Sequence, residues 1–324
     1  MSQTKHPWHI FYPLGGLLVL CLAWSVYWTI AFGAAREFVG IKRQSLAADG
    51  VALTCARESW GGFPFRFEFT CENPVLSYAK GNLTTHVQSA SVVALVQAYD
   101  LRHALVLVDG PTKLVTSAGS PSEISHERAL ISVSVNPDGQ WELSSDVTDV
   151  QADGLFASAS LRFFARQNQG KLDLAGNAEG LIIEGPDDTA TAINAAEFTA
   201  STSAAMVTSN APLAYAATTG ESIVINSFRI SHSAMKFDAQ GNIRLDADRK
   251  LAGKLTTSTN DIEGLLDILA PIFRLKRKDR GAVNNLLNLV GNDPGSSAKK
   301  ADIIAKNGEI YWGPFKLTDI RAID

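Results

Sequence analysis

Phenylalanine occupies every second position of one short segment, Phe63, Phe65, Phe67 and Phe69, and two cysteines, Cys55 and Cys71, flank it. Two thiols so placed can close a disulfide. For a loop of about 15 residues that bond stabilises by about 3 kcal/mol in the chain-entropy model, and it persists in an oxidising compartment. The other reading is two unpaired thiols in a core. A shared metal has little support, because there is no C-x-x-C and no nearby histidine. The phenylalanine row has the period of a strand with one buried face. All four rings are expected on that face, as core or as the apolar face of a ligand site.

Groups able to carry catalysis are sparse. His86, His103, His126 and His232 are scattered, and none has a partner at metal spacing. His126-Glu127 begins an H-E pair, but no second histidine follows four residues on, so the metalloprotease pattern fails. His232 sits between Ser231 and Ser233. A Ser/His/Asp site is a geometry, which such proximity does not supply. No G-x-S-x-G, G-x-x-x-x-G-K or G-x-G-x-x-G occurs. Asp246 and Asp248, beside Arg244 and Arg249, read as a solvated face with cross-strand pairs. A glycosidase pair would need a carboxylate separation that sequence does not give. The expectation is a non-enzymatic protein with no cofactor and no metal.

One charged feature points to a partner. Arg274, Lys276, Arg277, Lys278 and Arg280 put five positive side chains in seven residues of a chain whose net charge is −4. Beside an apolar helix they could meet anionic lipid headgroups, at about 1 kcal/mol each. They could equally be a solvated helix end that complements the dipole. Nucleic acid is not expected as a partner, since such proteins lean basic.

The elements that must position these residues begin with an uncharged run from Phe11 to Phe32, 22 residues long. About 20 apolar residues cross a bilayer. A signal peptide has a shorter core, so length favours a retained anchor. Ala31-Phe32-Gly33 and Gly33-Ala34-Ala35 keep a cleaved signal peptide open. Trp24, Tyr27 and Trp28 suit a membrane interface. Lys5 lies before the run and Arg36, Lys42 and Arg43 after it, so loop charge does not fix orientation. The paired cysteines favour an exported domain. The expected organisation is a cytoplasmic tail over 1–10, a transmembrane anchor over 11–33 and a periplasmic β-rich domain over 34–324. The location is then the inner membrane, crossed once.

Residues 34 to 48 read as a helical continuation of the anchor. Beyond Val51 alternation dominates. Strands are expected at 92–97, 104–109, 130–135, 155–165, 171–175, 181–184, 223–230, 234–239, 243–246, 251–257, 301–305 and 309–312. Asn136-Pro137-Asp138-Gly139, Gln240-Gly241-Asn242 and Asn307-Gly308 read as hairpin connectors. Short links between close strands imply antiparallel meanders. Residues 187–218, rich in Ala, Thr and Ser, receive no assignment. Asn260 and Glu263 fit a capping box, with Ile262, Leu265, Leu266 and Leu269 as an apolar stripe and Pro271 expected to kink or end the helix. A second helical pattern covers 282–290. The fold expected is mainly β with a few helices, a long antiparallel curved sheet behind one N-terminal transmembrane helix. A G-P-x-K-L echo follows two strands, at Gly110–Leu114 and Gly313–Leu317; it fits either two related β units or shared turn chemistry.

Trp60-Gly61-Gly62-Phe63-Pro64-Phe65-Arg66-Phe67 with Cys71 resembles the hallmark segment of a bacterial family, domain of unknown function 2125. Leu101–Ala104 with Asp109-Gly110-Pro111, and Asn307 to Phe315, are similar to its later blocks. The resemblance implies a bacterial inner-membrane protein and offers no catalytic residues to carry over. More distantly, the anchor, the long antiparallel sheet and the late G-x-I-x-x-G-P ending are similar to AsmA-like envelope proteins, which are associated with lipid handling through an apolar β groove. These likenesses imply an apolar β surface for lipid or another hydrophobic ligand. The alternative is a structural or assembly factor that binds another envelope protein.

Overall fold

The computed structural model describes residues 11–80, 83–117, 122–184, 190–209, 212–273, 281 and 299–319. Its first element, α1 (Phe11–Ala48), is one unbroken helix of 38 residues. At 1.5 Å per residue it is about 57 Å long, nearly twice the hydrocarbon thickness of a bilayer. It is long and apolar enough to cross a membrane. The helix continues through Arg36, Lys42 and Arg43 as expected, since no proline or glycine pair interrupts residues 34–48.

The chain divides into two compact units, residues 1–108 with 113–121, and residues 109–112 with 122–324. The first unit carries α1, β1 (Val51–Thr54), β2 (Arg57–Gly61), β3 (Arg66–Glu72), β4 (Val75–Lys80), β5 (Leu83–Gln88), β6 (Ser91–Gln97), most of β7 (Asp100–Asp109) and most of β8 (Thr112–Thr116). Two antiparallel ladders form, β1–β4–β5–β8 and β2–β3–β6. Cys55 precedes β2 and Cys71 ends the buried alternation of β3, where Phe67, Phe69 and Cys71 point inward. The two sulfurs are bonded, with Cα atoms 5.3 Å apart.

The expectation that all four phenylalanines share this face needs correction. Strand β3 starts only at Arg66, so the alternation covers Phe67 and Phe69, which are 6% and 8% exposed. Phe63 and Phe65 flank Pro64 in the turn before it and are 57% and 65% exposed. Arg66 N closes that turn on Gly62 O at 3.0 Å.

The second unit is a meander. It comprises β9 (Ser122–Ser125), β10 (Arg128–Val135), β11 (Trp141–Ala152), β12 (Phe156–Asn168), β13 (Lys171–Glu184), β14 (Ala190–Ser203), α2 (Ala204–Thr208), α3 (Pro212–Thr219), β15 (Ser222–His232), β16 (Met235–Leu245), β17 (Leu251–Thr259), α4 (Ile262–Phe273), β18 (Lys299–Lys306), β19 (Glu309–Trp312) and β20 (Phe315–Asp319). From β10 to β20 every strand pairs antiparallel with the next. Such serial pairing needs only short connections, as the turn signals at Asn136 and Asn307 require.

Several sequence expectations change here. Gln240-Gly241-Asn242 is no hairpin: Gly241 pairs with Ile225 on one side and Leu255 on the other, inside β16. A Cβ there would strike the backbone of Lys254 and Leu255, so glycine serves close strand approach and not a turn. Residues 171–175 and 181–184 merge into β13, and the unassigned stretch resolves into β14, α2 and α3. Helix α4 is capped by Asp261, whose Oδ1 accepts from Gly264 N at 3.0 Å, while Asn260 ties the chain to the β15–β16 turn through Lys236 N and Ala234 O. The helix also runs through Pro271 to Phe273, so of the two outcomes expected at Pro271, a kink or an end, the end does not occur. The pattern at 282–290 lies outside the described residues.

Helix α4 covers one part of the sheet. Ile262, Leu265, Leu266 and Ile268 pack with Ile193, Ile230, Met235, Phe237 and Trp312. Trp312 Nε1 donates to Thr257 Oγ1 at 3.2 Å, which satisfies the one polar atom of that buried ring. Elsewhere Ala204 of α2 packs with Ala165 and Leu172, and Ala216 and Ala217 of α3 pack with Leu245.

Candidate functional site

Register decides what each face of the second sheet presents. One cross-strand row runs Ser145, Phe163, Gly176, Phe198 and Phe228. The next runs Val147, Leu161, Ala178, Ala196 and Ile230. Residues one position along each strand point the other way. They form ion pairs: Arg162 with Asp146 at 3.5 Å and Glu179 at 3.9 Å, Arg166 with Asp173 at 3.7 Å, Arg229 with Asp238 at 3.1 Å. One face is therefore mostly carbon, and the other carries the charges together with Phe164, which is 49% exposed.

The carbon face holds an open groove of about 380 Å³, walled by Val147, Leu161, Phe163, Ala178, Phe198 and Phe228. Its rings are only half-buried. Phe163 and Phe198 have centroids 6.5 Å apart, and Gly176 lies beneath them. A Cβ on Gly176 would overlap the Phe198 ring, so the ring can lie flat on the strand only over glycine. Ala196 and Phe228 also touch the cluster under α4, so the groove abuts that helix.

The apolar parity of the strands switches beyond the groove. Asp149, Ala159, Gly180 and Asn194 drop out of the ladders in one row, with φ at 51° for Asp149 and 60° for Gly180. Past that row Leu181 and Ile193 join the same cluster as Ala196. Ser158 Oγ donates to the carbonyls of Ser160 and Glu179 at 3.0 and 2.9 Å, and Asn194 Oδ1 accepts from Ser233 N at 2.8 Å. These bonds satisfy the backbone where pairing is interrupted.

In the first unit the predicted cysteines and phenylalanines meet the helix. Trp28 packs with Phe32, Phe63 and Phe67 at centroid distances of 4.5, 5.2 and 5.7 Å. Arg43 donates to Glu58 at 2.7 Å and lies 5.5 Å above the Phe69 ring. That guanidinium bond holds the Glu58 carboxyl below the usual carboxylate range. The basic residues Arg274, Lys276, Arg277, Lys278 and Arg280 lie outside the described residues.

Chemistry beyond packing is thin. His126 Nε2 bonds Thr112 Oγ1 at 2.9 Å and its Nδ1 is buried without a partner. Burial pushes its pKa below the ordinary histidine value, against a smaller pull from Asp109. Among the described residues no three His, Cys, Asp or Glu side chains gather as a metal site would require.

Phe163, Phe198, Phe228 and Gly176 were not singled out by spacing, because the row exists only across strands. A register drawn from the hairpin turns would have aligned them. The Trp24, Tyr27 and Trp28 cluster was visible, but as interface aromatics and not as packing partners.

No curated protein matches the chain. The likeness to AsmA-like proteins gains no support and stays an analogy of architecture. The Trp60–Phe67 segment and the strands behind it lie within one family match: the chain belongs to the family described as an uncharacterized protein conserved in bacteria, DUF2125, whose model matches residues 28–321.

Proposed function

We propose that this is a membrane-anchored envelope protein, not an enzyme, whose second unit holds a lipid acyl chain on the carbon face of its sheet. The observation that carries the reading is the half-buried row Phe163, Gly176, Phe198 and Phe228, beside a helix-covered core and opposite a charged face. Contiguous apolar surface left open beside a packed core is a recurrent feature of binding grooves. An acyl chain needs no polar partner, and the exposed lining of the groove is mostly carbon, with Ser145, Arg162, Asn177 and Glu197 as its polar members. The apolar length of α1 supports a single crossing of the inner membrane, and the Cys55–Cys71 bond supports placing both units in the periplasm.

The test is native mass spectrometry of the full chain purified in mild detergent. The expected result is copurified phospholipid or fatty acid, lost when Gly176→Leu fills the groove and when Phe228→Asp charges it. Wild-type protein without bound lipid, or lipid retained equally by both variants, overturns the reading. A bound apolar peptide in its place would favour the assembly-factor alternative.

A further inference from the structure

Four large apolar side chains stand in the open at one end of the first unit. Phe63 and Phe65 lie in the turn before β3; Tyr99 and Leu101 lie at the β6–β7 turn and are 67% and 61% exposed. Phe63, Phe65 and Tyr99 are adjacent to the helix. A cleft of about 730 Å³ lies between α1, at Leu20 to Ser25, and this tip, at Phe63, Pro64, Phe65 and Tyr99. Its lining is almost entirely carbon.

The helix level matters. Trp24 stands eight residues before Phe32, the end of the uncharged run, which is about 12 Å along a helix. Leu20 stands about 18 Å from that end. The whole run is about 33 Å, close to the roughly 30 Å of bilayer hydrocarbon, so it has little slack to slide. A tip fixed beside Leu20 and Trp24 is therefore carried below the membrane surface with them.

A turn can enter hydrocarbon only if its backbone polar groups are satisfied within the protein. Three aromatic donors at i, i+3 and i+4, on one face of the helix, do this for three carbonyls. Trp24 Nε1 donates to Pro64 O at 2.8 Å, Trp28 Nε1 to Arg66 O at 3.2 Å, and Tyr27 OH to Ala98 O at 2.9 Å. Ala98 N in turn donates to Phe65 O at 2.8 Å. The carbonyls at 64, 66 and 98 are thus occupied by rings that are themselves apolar, and the carbonyl at 65 by the Ala98 N–H. Charge resumes at the rim, where Arg66 pairs with Glu68 at 2.8 Å and Arg102 with Asp100 at 3.7 Å.

From this geometry we infer that the tip formed by Phe63, Pro64, Phe65, Tyr99 and Leu101 is embedded in the acyl region of the leaflet that α1 crosses. The inference rests on the reading of α1 as a membrane anchor. It differs from the groove of the second unit, which would hold a lipid taken out of the bilayer. Here the bilayer itself is the partner, and the unit is seated in it by a second, non-helical contact.

Nitroxide accessibility on the full chain tests it. Spin labels are placed at Phe65→Cys, Leu18→Cys and Asp138→Cys in a Cys21→Ser background, with the protein in phosphatidylethanolamine–phosphatidylglycerol nanodiscs. Collision with oxygen reports hydrocarbon; collision with a water-soluble nickel complex reports solvent. The expected result is that positions 18 and 65 are both oxygen-accessible and shielded from nickel, with 138 the reverse. Position 65 open to nickel while 18 is shielded overturns the embedded tip and leaves the anchor standing. Position 18 open to nickel overturns the anchor and the tip together.

Discussion

Each unit packs a helix against strands, but by different means. In the second unit α4 offers leucine and isoleucine to an apolar cluster, with Leu265 fully buried. Association of that kind is driven by water leaving carbon. In the first unit α1 offers tryptophan and tyrosine, each ring apolar but tipped with a donor that ends on a strand carbonyl. Phe63 and Phe65 beside these contacts stay exposed. Where lipid replaces water, carbon gains little by leaving it and an unpaired carbonyl is the main penalty. The two interfaces are each suited to the solvent proposed for them.

The comparison can be broken first at its cores. Phe67→Ala and Leu265→Ala should each destabilise by about 3–5 and 2–5 kcal/mol respectively, whereas Phe65→Ala should change stability by less than about 1 kcal/mol. Denaturant unfolding in detergent measures all three. A large loss at Phe65 would mean that its ring is core and not tip. Next in size is the disulfide. Replacing Cys55 and Cys71 by alanine should lower the stability of the first unit by about 3 kcal/mol and leave the unfolding of the second unchanged. Hydrogen exchange resolved by segment distinguishes the two units.

Trp24→Phe and Trp28→Phe sharpen the contrast, because they keep a ring and delete only the donor. Each should cost about 1–3 kcal/mol by leaving Pro64 O or Arg66 O without a partner. Equal loss in nanodiscs and in a water-soluble fusion lacking the bilayer would argue against a solvent-specific role. The smallest effect concerns pH. Burial favours neutral His126, so the folded state resists protonation that the unfolded chain accepts near its ordinary value of 6.5. The stabilisation is present above that value and is lost as pH falls through it toward the depressed folded value. His126→Gln should flatten the thermal midpoint of the second unit between pH 7.5 and 5, while the first unit is unaffected.

Much of this architecture was readable from residue order. The apolar run, its helical continuation, the cysteine pair and the hairpins at Asn136 and Asn307 all follow from local signals. What escaped has physical causes. Strand β14 is built from Ala, Thr and Ser, whose two faces differ too little in polarity to show a period. In β13 the apolar residues change parity at Gly180, so one long strand reads as two short ones. Gly241 looks like a turn because glycine signals either a reversal or a close neighbour, and only pairing tells which. Phe63 and Phe65 obey the alternation of Phe67 and Phe69 without sharing their strand. The groove is a property of register, absent from any single segment.

The unbroken course of α1 has a mechanical consequence. Its grips on the first unit are spread along one rod, from Trp24 and Trp28 to Arg43 with Glu58. Each helical residue turns the rod by about 100°. One residue inserted between Phe32 and Arg36 would swing the later grip a quarter-turn away from Glu58 while the earlier one held. The unit is therefore keyed to the helix in azimuth as well as in height, as a gear is keyed to its shaft. Any twist of the helix within its surroundings is delivered to the first unit without slack.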